Sequence, residues 1–498
     1  MNISKVVLVQ PPIEDFYLTK KRTLPYGLAC IATGIRNKGF DVEIIDALST
    51  NKSRIITYPE EFFYLHPFYK MKDISYFSLF HEFRHFGYSF EYIGSKIREI
   101  QPFIVGISSL FTAYCNEALK TAKIIKKFHP HCIIVMGGHH PTLEPEEALC
   151  FARSVVLGDA EEVWPQVVAD AQVGRLRHRY ESRAPALAGT PVDRRVFAGK
   201  SYRPVALVEF GRGCPHACEF CSVRAFYGSV RRQRPVADVL AELARLGRTH
   251  VFFTDDNLFA DPQAATALLQ AMKPERRRWS CQTSLDVAAN PAALRLMAES
   301  GCTSVTVGFE SLLQENLEQM HKGWNARHGQ YADLVARFRD HGIMVYGTFV
   351  FGYDQDTADI FARTVDFAVA AKLFLANFNP LTPTPGTSLY ERLRREQRLR
   401  RPRWWLDPEY RYGDALFHPR GMSAEQLTEG CYWARTQFNR FGNVLARALG
   451  SRANAGSLYN LGLYLAGNLV SRREIHRKQG QPLGDAGVLE PLFAPLPT

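Results

Sequence analysis

Short apolar runs alternate with amphipathic stretches along most of this 498-residue chain, in two successive rounds. In the first round, buried strands are predicted at residues 6–9, 42–45, 104–108, 133–136 and 155–157, with helices at 28–37, 91–100, 117–128 and 144–151. Strands that alternate with helices form a parallel sheet covered on both faces. We therefore predict a doubly wound α/β domain at residues 1–175, with its ligand site at the carboxyl ends of the strands.

The second round predicts a partial barrel of the TIM type at residues 204–400. Its strands are predicted at 205–210, 251–254, 279–283, 304–309, 344–350 and 376–380, and its helices at 236–246, 261–272, 291–299, 331–340 and 357–371. Chemistry in such barrels lies at the C-terminal ends of the strands. Residues 176–203 lack periodicity and are typical of a linker, and residues 401–498 are predicted to be a mostly helical region.

Three cysteines follow directly on the first strand of this barrel. Cys214, Cys218 and Cys221 have the spacing C-x3-C-x2-C. Thiolates bind soft metals and iron–sulfur clusters, and three on one loop can hold three irons of a 4Fe–4S cluster while the fourth iron stays open. A zinc knuckle with a distant fourth ligand is the alternative, although the chain has no second C-x2-C pair. The other cysteines lie singly in apolar segments, which indicates free thiols and a reducing cytoplasm.

The cysteine loop resembles the cluster loop of the radical S-adenosylmethionine (SAM) superfamily. Phe220 stands where that family usually has an aromatic residue, and the barrel's strand ends resemble the family's SAM-binding positions. Asp255 and Asp256 take the position that contacts the SAM amino group, and helix capping is the alternative explanation of each polar strand end. The residues to which the resemblance gives contacts with SAM are Phe220, Asp255, Asp256, Thr283, Ser284, Gly308, Glu310 and Gly352.

The first domain resembles the cobalamin-binding domain that precedes the cluster domain in many of these proteins. Gly137-Gly-His-His-Pro-Thr142 and Leu24-Pro-Tyr-Gly-Leu28 match loops common in that domain. The loops at the strand ends are therefore expected to contact cobalamin through Pro11, Pro12, Ser108, Gly137, Gly138, His139 and His140. The D-x-H-x-x-G motif, which gives cobalt an axial histidine in other cobalamin proteins, is absent. His139 and His140 are therefore expected to be loop or tail contacts. An insert at 50–90, dense in Phe and Tyr, is expected to form a helical subcore or to cover the cofactor or substrate.

The resemblance implies an enzyme with a 4Fe–4S cluster, SAM and cobalamin. A reduced cluster would cleave SAM to a 5′-deoxyadenosyl radical, and a methyl group would pass from cobalamin to an unactivated carbon of a small-molecule or lipid-like substrate. An electron donor such as flavodoxin or ferredoxin is implied. Radical cyclisation or rearrangement without methyl transfer, and a non-catalytic cobalamin or redox sensor, remain as alternatives.

The formal charge of +11 includes seven arginines between residues 392 and 403. These arginines are typical of a solvated helix face, and an anionic substrate or a peripheral contact with a membrane surface is the alternative. Nucleic-acid binding is disfavoured because no reader motif accompanies the charge. No apolar run reaches the length of a membrane span.

Overall fold

The computed structural model describes residues 5–15, 24–56, 83–182, 187, 192–200, 202, 205–246, 250–275, 277–481 and 489–494. The strands are β1 Val6–Gln10, β2 Ile13–Asp15, β3 Val42–Asp46, β4 Ser53–Ile55, β5 Arg84–Phe86, β6 Ile104–Ser108, β7 Ile133–Gly137, β8 Ser154–Leu157, β9 Arg179–Glu181, β10 Val205–Val208, β11 Gly211–Arg212, β12 Arg232–Gln233, β13 His250–Phe253, β14 Trp279–Thr283, β15 Cys302–Glu310, β16 Met344–Phe351 and β17 Leu375–Pro380.

The helices complete the two rounds of alternation and form the C-terminal region. They are α1 Tyr26–Asn37, α2 Phe90–Ile100, α3 Cys115–Phe128, α4 His139–Leu143, α5 Pro145–Leu149, α6 Trp164–Gln172, α7 Ser222–Tyr227, α8 Val236–Ala244, α9 Pro262–Met272, α10 Pro291–Ser300, α11 Gln314–Gln319, α12 Tyr331–Asp340, α13 Ile360–Ala370, α14 Ser388–Arg395, α15 Ala424–Phe438, α16 Phe441–Ala448, α17 Arg452–Ala455 and α18 Leu458–Lys478.

The first sheet is parallel and has the strand order β3-β1-β6-β7-β8-β9. Side chains on one face pack with α1 and α6, and those on the other face pack with α2 and α3. Both faces are therefore apolar, and β1 is almost completely buried along its length. The doubly wound domain predicted from the sequence is confirmed. The strand order reverses between β1 and β6, which is where such sheets bind ligands.

One segment next to the first domain differs from the sequence prediction, and a second lies mostly outside the described residues. Residues 179–181, predicted within the linker, form the edge strand β9, because the ring of Tyr180 is buried while Arg179 and Glu181 face solvent. Most of the aromatic insert, at 57–82, lies outside the described residues. Within the described parts of the insert, Phe83 is buried (1% exposed), and β4 and β5 pair with β2 in the antiparallel sheet β2-β5-β4.

The second sheet is parallel and has its strands in chain order, β10-β13-β14-β15-β16-β17. Within the described residues, β10 and β17 do not pair with each other, so the barrel stays open, as expected for a partial barrel. Its outward side chains form the largest apolar core with the surrounding helices. The side chains that face the interior are mostly polar and uncharged, and they surround a lumen of about 500 Å³. The polar residues that line it are Ser280, Gln282, Ser304, Thr306, Tyr346, Thr348 and Asn377.

The C-terminal helices complete the barrel wall. The guanidinium of Arg447, in α16, is buried and donates to the carbonyls of Leu373 (2.9 Å) and Phe374 (3.0 Å), directly before β17. Asn468, in α18, accepts from Arg447 at 2.8 Å and donates to the Phe374 carbonyl at 3.1 Å. These contacts satisfy buried polar groups that an apolar helix would leave unpaired. Within the described residues, no helix is long and apolar enough to cross a bilayer.

The arginines between residues 392 and 403 are in part exposed to solvent, as the sequence predicts, and most of them form ion pairs. Six of them have acidic partners, which are often distant in sequence: Arg392 with Glu219, Arg394 with Glu391, Arg398 with Asp354, Arg400 with Glu425, Arg401 with Asp407, and Arg403 with Glu147. Arg395 donates to the carbonyl of Glu391. Three of these pairs are long-range: Arg392 and Arg398 bind acids of the barrel, and Arg403 binds one of the first domain.

Candidate active site

A cavity of about 750 Å³ lies between the two domains, at the point where the first sheet reverses its strand order. The first sheet contributes the ends of β1, β6 and β7, and the barrel contributes residues around the cysteine loop and the end of β13. The lining includes Gln10, Tyr26, Asp46, Ser108, Leu110, Tyr114, Gly137, Gly138, His139, Asp159, Glu209, Arg212, Phe226, Tyr227 and Asp256. The cavity thus joins the predicted cobalamin loops to Asp256 of the predicted SAM positions, whereas the three cysteines are not among its lining residues.

The paired glycines after β7 allow the backbone to turn into this cavity. Gly138 has a φ of +113°, and a Cβ there would lie 2.6 Å from the carbonyl oxygen of Ser109. Gly137 has an ordinary φ, and the nearest atom to a Cβ there would be 3.6 Å away. The second glycine is therefore required by the fold, whereas the first leaves an open surface toward the cavity.

The two histidines after the glycines point in different directions. The ring of His139 lines the cavity and stacks on Phe226 of α7, with centroids 4.3 Å apart. His140 is buried away from the cavity, and its Nε2 lies 3.1 Å from Glu147. Pro11 and Pro12 are also buried and do not appear in the lining of the cavity, where Gln10 and Ile13 stand instead. Geometry thus favours Ser108, Gly137, Gly138 and His139 among the predicted cobalamin contacts.

Glu147 fastens this loop to the C-terminal region. Its carboxylate accepts from Arg403 (2.7 Å) and from the indole of Trp405 (3.3 Å), in addition to its contact with His140. Burial raises the pKa of Glu147, but these donors outweigh it and hold the pKa at about 2. The carboxylate is therefore ionised, and it holds the tail against the first domain.

Two aspartates at the end of β13 hold the backbone of the cysteine loop. Asp255 is 1% exposed and accepts from the amides of Phe210 (2.9 Å) and Gly211 (2.6 Å). Asp256 accepts from the amide of Gly213 (3.0 Å) and also lines the cavity. Burial raises the pKa of Asp255 to about 7. Of the two acids, Asp256 is the one placed to meet a ligand, whereas Asp255 fixes the loop.

The three cysteines of the loop share one environment. Cys218 is buried, and Cys214 and Cys221 are half-buried. Burial is the main cause of the raised pKa of all three thiols, and repulsion from neighbouring cysteines at Cys214 and Cys218, and from Asp256 at Cys221, adds to it. Such sulfur atoms lose their protons when a metal binds, and three soft donors on one loop suit an iron–sulfur cluster.

Lys322 is a charged residue of this site that the sequence analysis missed. It follows the short helix α11 rather than a strand, so neither a motif nor a strand end indicated it. Its Nζ lies 2.8 Å from Glu310, and both side chains are buried. Burial lowers the pKa of Lys322, but attraction by Glu310 and the nearby thiolates raises it above its usual range. A lysine cation therefore stands beside the cysteines.

The end of β15 is shaped around this ion pair. Glu310 has a φ of +63°, and the pairing of β15 with β16 shifts register between Gly308 and Glu310. A Cβ on Gly308 would lie 2.2 Å from the Glu310 carboxylate and 2.8 Å from Lys322 Nζ. A non-glycine residue in the left-handed region is uncommon, and such strain is concentrated at functional sites.

The remaining predicted SAM positions lie around the same barrel mouth but differ in what they face. Ser284 accepts from the side-chain amide of Asn257 (3.1 Å), and the hydroxyl of Thr283 donates to the Ser284 carbonyl (3.4 Å). Phe220 packs against the main core. A Cβ on Gly352 would meet Leu427 and Phe417 of the C-terminal region within 2.8 Å, so that face of Gly352 is closed by protein.

An ion network crosses the domain boundary beside the cavity. Arg212, two residues before Cys214, pairs with Asp159 (2.7 Å) and Glu161 (2.8 Å) of the first domain and with Glu209 (2.7 Å) of its own. Arg232 also pairs with Asp159. These buried pairs fix the cysteine loop relative to the first sheet, because breaking one would leave an uncompensated charge.

Comparison with known proteins agrees with this architecture. Residues 208–368 match the model of the radical SAM superfamily, and residues 78–168 match that of the B12 binding domain. The solved structure of the radical SAM methyltransferase TsrM from Kitasatospora setae, with cobalamin and a 4Fe–4S cluster bound, superposes with a TM-score of 0.60 at 17% identity, covering 96% of this chain and 99% of that one. This likeness shows a shared fold.

Two curated relatives are informative. Bacteriochlorophyllide d C-12(1)-methyltransferase of Chlorobaculum tepidum is 31% identical over 335 residues, which cover 65% of this chain and 72% of the relative. The anaerobic magnesium-protoporphyrin IX monomethyl ester cyclase of Cereibacter sphaeroides is 24% identical over 379 residues, covering 69% of this chain and 60% of the relative. The chain belongs to the radical SAM superfamily, in the group whose members carry a B12 binding domain before the barrel, and it is a radical SAM enzyme.

Proposed function

We propose that this protein is a cobalamin-dependent methyltransferase that methylates an unactivated carbon of a small, largely apolar, ring-containing substrate in the cavity between its domains. The observation that carries the proposal is the continuity of that cavity. It reaches Ser108 and Gly137 at the edge of the first sheet, and Arg212 and Asp256 beside the cysteine loop. A methyl donor at one wall and a radical generator at the other would share one substrate space.

Cys214, Cys218 and Cys221 would hold a 4Fe–4S cluster, as the soft donor set and the shared environment of the thiols support. When bound, the cluster supplies the electron that cleaves SAM reductively to the 5′-deoxyadenosyl radical. Asp255 and Asp256 hold the backbone of the loop through its amides. Asp256, Ser284 and Glu310 are our candidates for contacts with SAM, since each lies at the barrel mouth.

Lys322 has two roles in this proposal. Its cation offsets the negative charge of the cysteine loop, and its hydrogen bond orients the Glu310 carboxylate. The pair lies in a buried region, where attraction between charges is stronger than at the surface. Lys322 thereby fixes the Glu310 carboxylate at the barrel mouth before any ligand arrives.

Ser108, Gly137, Gly138 and His139 would hold cobalamin, which supplies the transferable methyl group when bound. The size of the cavity and the open backbone at Gly137 fit a large, rigid cofactor. His139 is held by its stack on Phe226, and burial lowers its pKa, so it is a neutral ring at neutral pH. The side chain of His139 therefore acts as a wall of the site.

The substrate class is supported by the names of the relatives. The Chlorobaculum tepidum relative is named for methylation of a bacteriochlorophyllide, and the Cereibacter sphaeroides relative for closure of a ring on a magnesium protoporphyrin. A ring-closing reaction is accordingly our second candidate, since the cyclase likeness covers 69% of this chain. The two candidates differ in whether a methyl group appears in the product.

An electron-donor protein such as flavodoxin or ferredoxin would serve the cluster. Pro215 and Ala217, between the cysteines, are exposed, so the loop is accessible from outside. All ten cysteines are free, and free thiols persist in a reducing compartment. We accordingly place the enzyme in the cytoplasm.

The test uses full-length protein reconstituted anaerobically with iron, sulfide and cobalamin, then given SAM, a reductant and a bacteriochlorophyllide as trial substrate. Mass spectrometry would quantify 5′-deoxyadenosine, S-adenosylhomocysteine and the modified pigment, with and without cobalamin. Methyl transfer predicts both nucleoside products and a pigment heavier by one methylene. Formation of S-adenosylhomocysteine and of the methylated pigment should require cobalamin.

The outcomes separate the candidates. Deoxyadenosine with a ring-closed or otherwise unmethylated product would move the assignment to the cyclase reaction. An intact cluster without deoxyadenosine for any tetrapyrrole tried would contradict the proposed substrate class. S-adenosylhomocysteine formed equally without cobalamin would contradict the proposed role of the first domain.

A further inference from the structure

The outer sides of two C-terminal helices form an apolar surface that nothing in the described structure covers. We call it the apolar tail face, and it consists of Phe441, Leu445, Leu449, Leu458, Leu465, Leu469 and Val470. Phe441 is 72% exposed and Leu458 is 91% exposed. Exposed apolar side chains grouped in one region mark an interaction surface, whereas single ones are ordinary.

The exposure of this face does not come from loosely placed helices. The opposite sides of α16 and α18 are packed on Phe374 and Met344 of the barrel through Val444, Ala448 and Tyr464. The hydroxyl of Tyr464 donates to the carbonyl of Val444 at 2.6 Å, which holds the two helices against each other. Both helices therefore pack on the same small core and contact each other, while their apolar outer side chains stay exposed.

Within each helix, the exposed residues follow the helical period. Phe441, Leu445 and Leu449 are spaced by four in α16 and its C-cap, and Leu458, Leu465 and Leu469 fall on one side of α18. A helix exposed to water normally carries polar residues at such positions. Here the apolar side faces out and the buried side carries the polar anchors Arg447 and Asn468.

The sequence that contains the apolar tail face is positively charged. Residues 430–473 contain six arginines and no lysine, aspartate or glutamate. Arg435 and Arg447 are buried, while Arg440, Arg452, Arg472 and Arg473 are exposed. Among the described residues, none of these four exposed arginines has an acidic partner. This contrasts with the arginines between residues 392 and 403, most of which are paired.

We propose that the apolar tail face docks side-on onto an anionic lipid bilayer. The leucines and Phe441 would enter the boundary between headgroups and acyl chains, and the four exposed arginines would contact anionic headgroups. Neither helix is long and apolar enough to span the bilayer within the described residues, so the contact is peripheral. A second copy of the chain fits less well, because a symmetric contact would bring the unpaired arginines of both copies together.

The test measures binding of the full-length protein to vesicles by co-sedimentation. Vesicles of phosphatidylcholine alone are compared with vesicles containing phosphatidylglycerol, at low and high salt. We expect binding to the anionic vesicles that weakens as salt rises. Removing two arginines with Arg472→Gln and Arg473→Gln should weaken it by roughly 25-fold, since each basic residue near such a surface contributes about fivefold.

The apolar contribution is tested with Leu465→Gln and Leu469→Gln together, which should lower binding at least about tenfold. Matched controls are Val173→Gln, a 65% exposed apolar residue of the first domain, and Arg245→Gln, an exposed arginine of the barrel. Both controls should bind like the unaltered protein. Retained iron content and 5′-deoxyadenosine formation would show that every variant is folded.

Three results would overturn the proposal. One is failure of the unaltered protein to bind anionic vesicles at low salt. Another is equal binding by the leucine variant and its control. The third is a stable dimer that the leucine substitutions dissociate, without vesicle binding, which would make a second copy the occupant. The vesicle assay does not depend on catalysis, so its result is independent of the proposed methyl transfer.

Discussion

The two parallel sheets of this protein each have six strands, yet they use their faces in opposite ways. The first sheet buries both faces in apolar side chains, and its site lies at one edge, where the strand order reverses. The second buries only its outer face and keeps a polar lumen inside. The same alternation of strands and helices therefore yields an edge site in one case and an interior site in the other.

The reason can be read from the strands. In β1, four consecutive residues are buried, whereas in β15 the half-exposed residues Ser304, Thr306 and Gly308 alternate with buried apolar ones. Strands that are covered on both faces are continuously apolar, whereas strands with one open face alternate apolar and polar residues. The comparison indicates that the ligands of the first domain approach its rim, whereas those of the second can extend into its interior.

The largest effect should come from the cysteine loop. Cys218→Ala should lower 5′-deoxyadenosine formation at least about 1,000-fold, because the cluster would lose one of its three ligands. Cobalamin binding, assigned to the other sheet, should persist and can be followed by its visible absorbance. Cys150→Ala is the matched control, since this half-buried cysteine lies in the first domain. Loss of cobalamin in the Cys218 variant would show that the two sites are not separable.

The rim of the first sheet is tested by two neighbouring glycines. Gly138→Ala should destabilise the protein by at least about 3 kcal/mol and abolish cobalamin retention, because the residue has a positive φ and approaches the Ser109 carbonyl. Gly137→Ala should cost less than about 1 kcal/mol in stability. If the open surface at Gly137 contacts cobalamin, Gly137→Ala should nevertheless bind cobalamin more weakly than the unaltered protein. Denaturant unfolding of the cofactor-free proteins gives the stabilities, and equal costs would contradict the geometry.

The attachment of the tail to the first domain should depend on pH. The pKa of Glu147 is about 2, below its ordinary 4.5. A carboxylate with a lowered pKa stabilises the native state above pH ~4.5, and this contribution of about 3 kcal/mol is lost as the pH falls toward ~2. Hydrogen exchange of residues 400–407 in the cofactor-free protein should therefore rise over that range.

Glu147→Gln should remove this pH dependence and raise the exchange already at neutral pH, because Arg403 would lose its acidic partner. Glu425→Gln is the control, as Glu425 pairs with Arg400 of the same segment but is exposed. An unchanged pH profile in the Glu147 variant would mean that another group controls the attachment.

The smallest effects should come from two substitutions between side chains of nearly equal volume, one in each sheet. Val105→Thr places a hydroxyl in the fully buried first sheet and should cost about 1–3 kcal/mol. Thr306→Val removes a hydroxyl from the barrel lumen and should change stability by less than about 0.5 kcal/mol. A large cost for the second substitution would show that the lumen is a tightly bonded core rather than an open space.

The architecture was predictable because strand and helix periods are local in sequence. The cysteine loop was predictable for the same reason, since its three thiols lie within eight consecutive residues. Lys322 was not, because it reaches the loop from a turn about 100 residues later. The partners of Arg392 and Arg403 were equally hidden, since Glu219 and Glu147 are distant in sequence and only the folded chain brings them together.

The direction of individual side chains was also beyond the sequence. His139 and His140 are neighbours, yet one lies on the cavity and the other on Glu147, because helix α4 begins between the glycines and the histidines. Adjacent residues at the start of a helix point about 100° apart. A motif therefore locates a loop, while the backbone geometry decides which of its side chains meets the ligand.

The late position of Arg447 and Asn468 has a consequence for synthesis of the chain on the ribosome. The carbonyls just before β17 receive their donors from residues 74 and 94 positions further along. The final strand of the barrel is thus synthesised long before α16 and α18, and these two carbonyls should stay hydrated until those helices are made. Chains that stop short of Asn468 should leave this end of the barrel unfinished, which makes the C-terminal helices part of the barrel's own folding unit.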